Sequence, residues 1–210
     1  ESGPNNVDIH GVGTNVPGYE VSWNCYDRLI SHEMKTVNGT AYYDRDKFKM
    51  ELADDMNVGD MSVTFKLKKS AVFQDGTPVT AKDVKCTFDL LQGKAQDKFR
   101  KNPRKDLFSN VSEVTTNGDY EVTLHLKRPQ PSLLAMLASG YSPMYACHVT
   151  AAQMRTHPIG TGPFKFVEFK QNEGIKVVKN PDYWKKGRPY LDAIDYKIVP
   201  NRSTAILGFV

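Results

Sequence analysis

Between Ser62 and Leu91 the spacing of apolar residues changes from every second position to every third or fourth. Val63, Phe65 and Leu67 alternate with Thr64 and Lys66, the pattern of a strand with one buried face. Beyond residue 80, Val84, Phe88 and Leu91 fall on one stripe of a helix. The start of that helix is also written in the chain. Thr80 can cap the free amides of the first turn, and Asp83 can reach back and complement the positive end of the helix dipole. A one-faced strand and a one-faced helix each need a cover, so the chain is expected to pack them together in a mixed α/β fold.

The same reading extends in both directions. Val7-Asp8-Ile9-His10 reads as a strand that ends in the Gly-rich turn Gly11-Val12-Gly13. Residues 20–30 place Val21, Cys25 and Leu29 on one helical face. Asn38-Gly39 marks a turn, and a polar stretch covers 40–60. Asn117-Gly118 sits between Val111–Thr116 and the alternating Tyr120, Val122, Leu124 and Leu126, which predicts a hairpin. Ser132 suits the cap of a short helix after Pro131. Strands are expected at 164–169, 175–179 and 194–199, and 204–210 reads as the opening of a helix without a stop signal. A helix that has only begun is an unusual terminus, so the chain is expected to be a fragment.

Composition narrows the function classes. The 210 residues are 40% hydrophobic and 25% charged, ordinary for a globular protein. No apolar run approaches the ~20 residues of a membrane-spanning helix. The net charge of +4 is mild and its basic residues are interspersed with acids, which argues against a nucleic-acid partner. The densest basic run, Lys98, Arg100, Lys101, Arg104 and Lys105, is flanked by Asp97 and Asp106 and reads as a solvated face. Cys25, Cys86 and Cys147 form no CxxC pair, which excludes a zinc knuckle or a thioredoxin-like motif. Cys25 and Cys86 fall on apolar stripes, so three buried free thiols are expected ahead of one bridge.

Three separated motifs remain: Phe73-Gln74-Asp75-Gly76-Thr77-Pro78 leading to Val84, Pro158-Ile159-Gly160-Thr161-Gly162-Pro163-Phe164, and Asn180-Pro181-Asp182-Tyr183-Trp184. With Tyr26-Asp27-Arg28-Leu29 and Pro189-Tyr190-Leu191-Asp192, and in this order, they resemble the family 5 extracellular solute-binding proteins, receptors for peptides, opines and nickel. Gln74 stands where that family commonly has His or Ser. The resemblance implies a periplasmic-binding-protein-like α/β lobe (type II, cluster C) with a mixed sheet and an inserted α+β domain. Residues 1–34 and 156–210 would form the ligand lobe and 35–155 the insertion, with the second ligand lobe outside this chain. It implies a periplasmic or cell-surface receptor, monomeric at full length, without a cofactor. That receptor would hand a peptide or peptide-like solute to the membrane subunits of an ABC importer. A nickel or metallophore receptor, or a sensory binding protein, is the alternative.

Candidate contacts follow from position. Tyr19 and Trp23 come just after the Gly-rich exit of the first expected strand, where α/β sheets commonly bind ligands. Thr14, Asn15, Tyr19 and Trp23 are therefore the first contact set, although an indole of this size also suits packing. Tyr141, in Ser139-Gly140-Tyr141-Ser142-Pro143, offers a flat face and a hydroxyl on a turn, or is simply an exposed loop. Gly160-Thr161-Gly162 is expected to be a structural turn into a central strand and not a phosphate cradle, because Pro163 and a strand follow it. Tyr183 and Trp184 are expected to pin the Asn180-Pro181 turn to the core. The five histidines do not cluster, His125 reads as solvated, and no metal site is expected. Asp54-Asp55 reads as a solvated turn. No nucleophile elbow or zinc-protease helix is present, so no catalytic residue is assigned.

Overall fold

The computed structural model describes residues 4, 6–9, 15–94, 102–199, 201 and 206. Helix α1 (Val16–Cys25) is followed by a long hairpin, β1 (Ile30–Val37) and β2 (Thr40–Met50), and then by β3 (Ala53–Val58) and β4 (Ser62–Leu67). Helix α2 (Ala81–Leu91) leads through a short 3-10 turn (Lys105–Phe108) to β5 (Val111–Thr116) and β6 (Glu121–Leu126). Two short helices, α3 (Leu133–Leu137) and α4 (Ala151–Thr156), precede β7 (Phe164–Lys170), β8 (Gly174–Lys179) and β9 (Ala193–Lys197). The expected helix at 204–210 lies largely outside the described residues.

The strands form a β1-β2 ribbon, a four-stranded sheet β3-β4-β6-β5 and a three-stranded sheet β7-β8-β9. The resemblance implies a mixed sheet; among the described residues every pairing of named strands is antiparallel. In the four-stranded sheet Val63 faces Leu124 and Phe65 faces Val122, so the alternation read from the sequence puts both inward rows on one face. Helix α2 lies against β5 and β6 with Val84, Phe88 and Leu91 fully buried. Phe88 meets Phe108 edge-on at 6.2 Å. The start of α2 is held by Asp83, whose Oδ2 accepts from the Thr80 backbone N–H at 2.9 Å and from the Thr80 hydroxyl at 3.1 Å. The expected capping box between Thr80 and Asp83 is thus present, with the Thr80 hydroxyl also donating to the Asp83 carboxylate.

Several expectations are corrected. Val7–Ile9 is buried but joins no strand ladder among the described residues, and His10 lies outside them; the Val7 N–H donates to the Arg155 carbonyl at 3.4 Å. Helix α1 starts and stops about one turn earlier than 20–30, because Asp27 is drawn out of the helical path by partners distant in sequence (below). The polar stretch 40–60 is strand on both sides of residues 51–52, and Asp54 and Asp55 lie in β3, not in a turn. The Asn38-Gly39 turn is present, with φ of 51° and 78°, and it joins β1 to β2. His125 is half-buried, its Nε2 2.8 Å from the Thr115 hydroxyl. The three free thiols are also overturned. Cys86 and Cys147 form a disulfide with Cα atoms 5.7 Å apart, and only Cys25 is free. Cys86 is half-buried and off the Val84-Phe88-Leu91 stripe, and the Cys147 N–H donates to Asp83 Oδ1 at 2.9 Å, which brings the two sulfurs together.

Candidate functional site

Asp27 ties the separated motifs to one point. Its Oδ1 accepts from the Tyr183 hydroxyl at 3.0 Å and its Oδ2 from the Trp184 indole N–H at 2.8 Å. The Thr161 hydroxyl donates to Oδ2 at 3.3 Å and accepts from the Asp27 N–H at 3.1 Å. Tyr183 and Trp184 therefore pin their turn, as expected. Burial lifts the Asp27 carboxyl from 3.8 to about 6, although the nearby Lys185 charge and the Trp184 hydrogen bond oppose it.

Gly160 and Gly162 press on the end of α1. A Cβ on Gly160 would stand 1.9 Å from the Cys25 carbonyl oxygen, and one on Gly162 2.5 Å from the Cys25 carbonyl carbon. Only glycine permits this approach, through which the Gly162 N–H donates to the Cys25 carbonyl at 2.9 Å. Gln74 closes the junction. Its Nε2 donates to the Phe164 carbonyl at 2.6 Å, to that of Gly162 at 3.1 Å and to that of Cys25 at 3.3 Å, while its Oε1 accepts from the Gly160 N–H at 3.2 Å. The turn is structural, as expected. It enters β7, however, which lies at one side of its sheet; β8 is the central strand among those described. Ile194 and Tyr196 of β9 are partly buried against the core, and the Tyr196 hydroxyl lies 2.7 Å from Asn24 Nδ2.

With its C-terminal end fixed, α1 buries Gly18, Val21, Ser22 and Cys25, at i, i+3, i+4 and i+7 on one face. Tyr19 and Trp23 share another face, their ring centroids 6.5 Å apart. Tyr141 meets Tyr19 edge-on at 5.6 Å, and the Trp23 indole nitrogen lies so close over Gly140 that a Cβ there would be 2.2 Å away. Trp23 nevertheless remains 59% exposed and Tyr141 42%, so the cluster forms an open aromatic surface. Three of the five residues expected as contacts are thus brought together. Asn15 starts the same helix one turn before Tyr19, its carbonyl accepting from the Gly18 N–H at 3.0 Å. Thr14 lies outside the described residues.

One member of the cluster escaped the sequence reading. Arg104, assigned there to a solvated basic face, sits half-buried with its guanidinium carbon 5.7 Å from the Tyr19 ring centroid and 5.6 Å from that of Tyr141. Its Nη1 donates to the Ile9 carbonyl at 3.3 Å. Burial raises the Tyr19 hydroxyl above its ordinary range, and Arg104 opposes the rise. Nothing local to residues 98–105 marks Arg104 out, because both tyrosines come from distant segments.

An open cleft of about 510 Å³ lies elsewhere, lined in part by Lys49, Phe164, Tyr183, Lys185, Arg188 and Tyr190. Its cations are already engaged: Lys49 and Lys185 with Glu51, and Arg188 over the Tyr190 ring. It shares no lining residue with the aromatic cluster. The aromatic surface is the stronger candidate for contact with a solute.

Comparison with known proteins places this geometry in a family. Residues 47–209 match the model for bacterial extracellular solute-binding proteins, family 5 Middle. The chain belongs to that family. The oligopeptide-binding protein AppA of Bacillus subtilis (strain 168) is 34% identical over 169 residues, which cover 75% of this chain and 30% of AppA. The glutathione-binding protein GsiB of Escherichia coli O157:H7 is 31% identical over 163 residues, covering 75% and 31%. Among solved structures, AppA in complex with a nonapeptide superposes on all of this chain and 41% of its own, with a TM-score of 0.79 at 28% identity. DppA from Helicobacter pylori in complex with the peptide STSA has a TM-score of 0.82 over 99% of this chain and 43% of its own; at 23% identity this speaks for the fold alone. The named relatives are binding proteins, not enzymes, and the chain spans about a third of the length of these curated relatives.

Proposed function

We propose that this chain forms part of an extracytoplasmic receptor that captures a peptide or peptide-like solute and passes it to the membrane subunits of an ABC importer. The observation that carries this reading is the open aromatic surface of Tyr19, Trp23 and Tyr141, set on a family 5 framework whose relatives include an oligopeptide-binding and a glutathione-binding protein. Flat rings with a polar tip suit a peptide, which presents apolar side chains and amide groups alternately. In this reading residues 1–34 and 156–210 belong to the ligand lobe and 35–155 to an inserted domain. A second lobe, in the length by which the relatives exceed this chain, closes over the solute. Capture works by population shift: a solute touched by both lobes only when they are shut stabilises the closed state. The receptor acts as a monomer in the periplasm or at the cell surface.

A nickel or metallophore receptor shares the fold, but among the described residues no three His, Cys, Asp or Glu side chains come together as metal donors. Native mass spectrometry of the receptor at natural length tests the proposal. A co-purifying peptide is expected, and a metal chelate in its place would favour the alternative.

A further inference from the structure

The open cleft beside Tyr183 gathers chemistry that the aromatic surface does not use. Gly187, with a φ of 76°, takes the third position of a turn that the Arg188 N–H closes on the Lys185 carbonyl at 3.2 Å. That turn sets Lys185 and Arg188 in the lining of the cleft, and β2 brings Lys49 to it. The two lysines share one carboxylate: Glu51 Oε1 lies 3.5 Å from the Lys49 ammonium, and Oε2 pairs with Lys185. Arg188 has no carboxylate partner among the described residues; its guanidinium carbon lies 4.1 Å from the Tyr190 ring centroid. Asp27 does not answer these charges directly, because its oxygens accept from Tyr183, Trp184 and Thr161. No acid is among the lining residues, so three cations meet one carboxylate and each keeps N–H donors to offer. The rest of the lining is apolar or aromatic, with Tyr190 75% and Leu191 62% exposed. A volume of about 510 Å³ falls in the ~300–1,000 Å³ range of small-molecule sites, which combine such a lining with a few placed polar groups.

We propose that this cleft is a second ligand site, which takes a small organic anion: a flat apolar body carrying a phosphate or carboxylate. The oxyanion meets the Arg188 fork and the two ammonium groups, and the body lies against Tyr190 and Leu191. Neither half of such a ligand suffices. A bare oxyanion leaves the exposed ring and Leu191 in water, and a neutral ring leaves the excess positive charge unanswered. The cleft shares no lining residue with the aromatic surface, so this site stands independently of solute capture there.

Calorimetry of the natural-length protein tests this, with phenyl phosphate, inorganic phosphate and benzyl alcohol as probes. Phenyl phosphate is expected to bind saturably with a Kd on the order of 1 mM, and about tenfold or more tightly than either of the other two. Arg188→Gln and Tyr190→Ala change exposed side chains, so both should keep the fold, and each should weaken phenyl phosphate about fivefold or more. Lys127→Gln removes an exposed cation beyond β6 and should leave binding unchanged, which separates a site from net charge. Circular dichroism checks each variant; should one of the two cleft variants misfold, the other carries the test. Four results would overturn the proposal. They are no saturable binding of phenyl phosphate, inorganic phosphate binding as tightly (an adventitious ion only), benzyl alcohol binding as tightly, and full affinity in a folded cleft variant. A loss in Lys127→Gln equal to that in Arg188→Gln would overturn it as well.

Discussion

Thr161 and Asp27 hold each other across 134 positions: the Asp27 N–H donates to the Thr161 hydroxyl at 3.1 Å, and that hydroxyl donates to Asp27 Oδ2 at 3.3 Å. Because Tyr183 and Trp184 converge on the same carboxylate, one half-buried acid sets where α1 ends and β1 begins. The aromatic surface is carried by that helix, so the junction and the candidate site are mechanically one unit.

Asp27 makes stability depend on pH in an unusual direction. The folded carboxyl, near 6, keeps its proton where the unfolded one, near 3.8, has released it. Its contribution is therefore full below about 3.8 and is lost as pH rises through about 6, a change on the order of 3 kcal/mol. Urea unfolding at pH 3.5 and pH 7 should show this fall, and Asp27→Asn, which has no proton to release, should flatten it. An unchanged slope in the variant would refute the assignment.

Gly160→Ala and Gly162→Ala should each cost about 3 kcal/mol or more, because the added methyl meets main-chain atoms that cannot move aside without breaking the α1 junction. Gly76→Ala, at a φ of 87° in open space, should cost only about 1 kcal/mol. Denaturant midpoints rank the three. Similar losses at all three positions would show that backbone conformation, not close approach, governs them.

The Cys86–Cys147 bridge closes a span of 61 residues, for which chain entropy gives about 4 kcal/mol. Replacing both cysteines with alanine should lower stability by about 2–4 kcal/mol, and reductant should do the same to the unaltered protein. Denaturant curves that coincide with and without reductant would show that the bridge does not form.

The parts of the fold that were legible were those specified by neighbours in sequence. Helix α2 and strands β4 to β6 follow from their own apolar periods, and β7 to β9 from theirs. The β1-β2 hairpin was not legible beyond its Asn38-Gly39 turn, because most of both strands is exposed on both faces and no period of two is imposed. The limits of α1, the pairing of Cys86 with Cys147 and the place of Arg104 depend on partners at least 37 residues away. Tyr19, Trp23 and Tyr141 were found by position along the chain. Their meeting in one cluster was not legible, since it depends on how the loop at Gly140 folds over α1.

The most direct test of the account is calorimetry of the natural-length receptor and its Trp23→Ala variant against the solute that co-purifies with it. Trp23 is largely exposed, so the variant should keep the thermal midpoint within about 2 °C while binding about tenfold or more weakly. Undiminished affinity in a folded Trp23→Ala protein would contradict the assignment of this aromatic surface to solute capture.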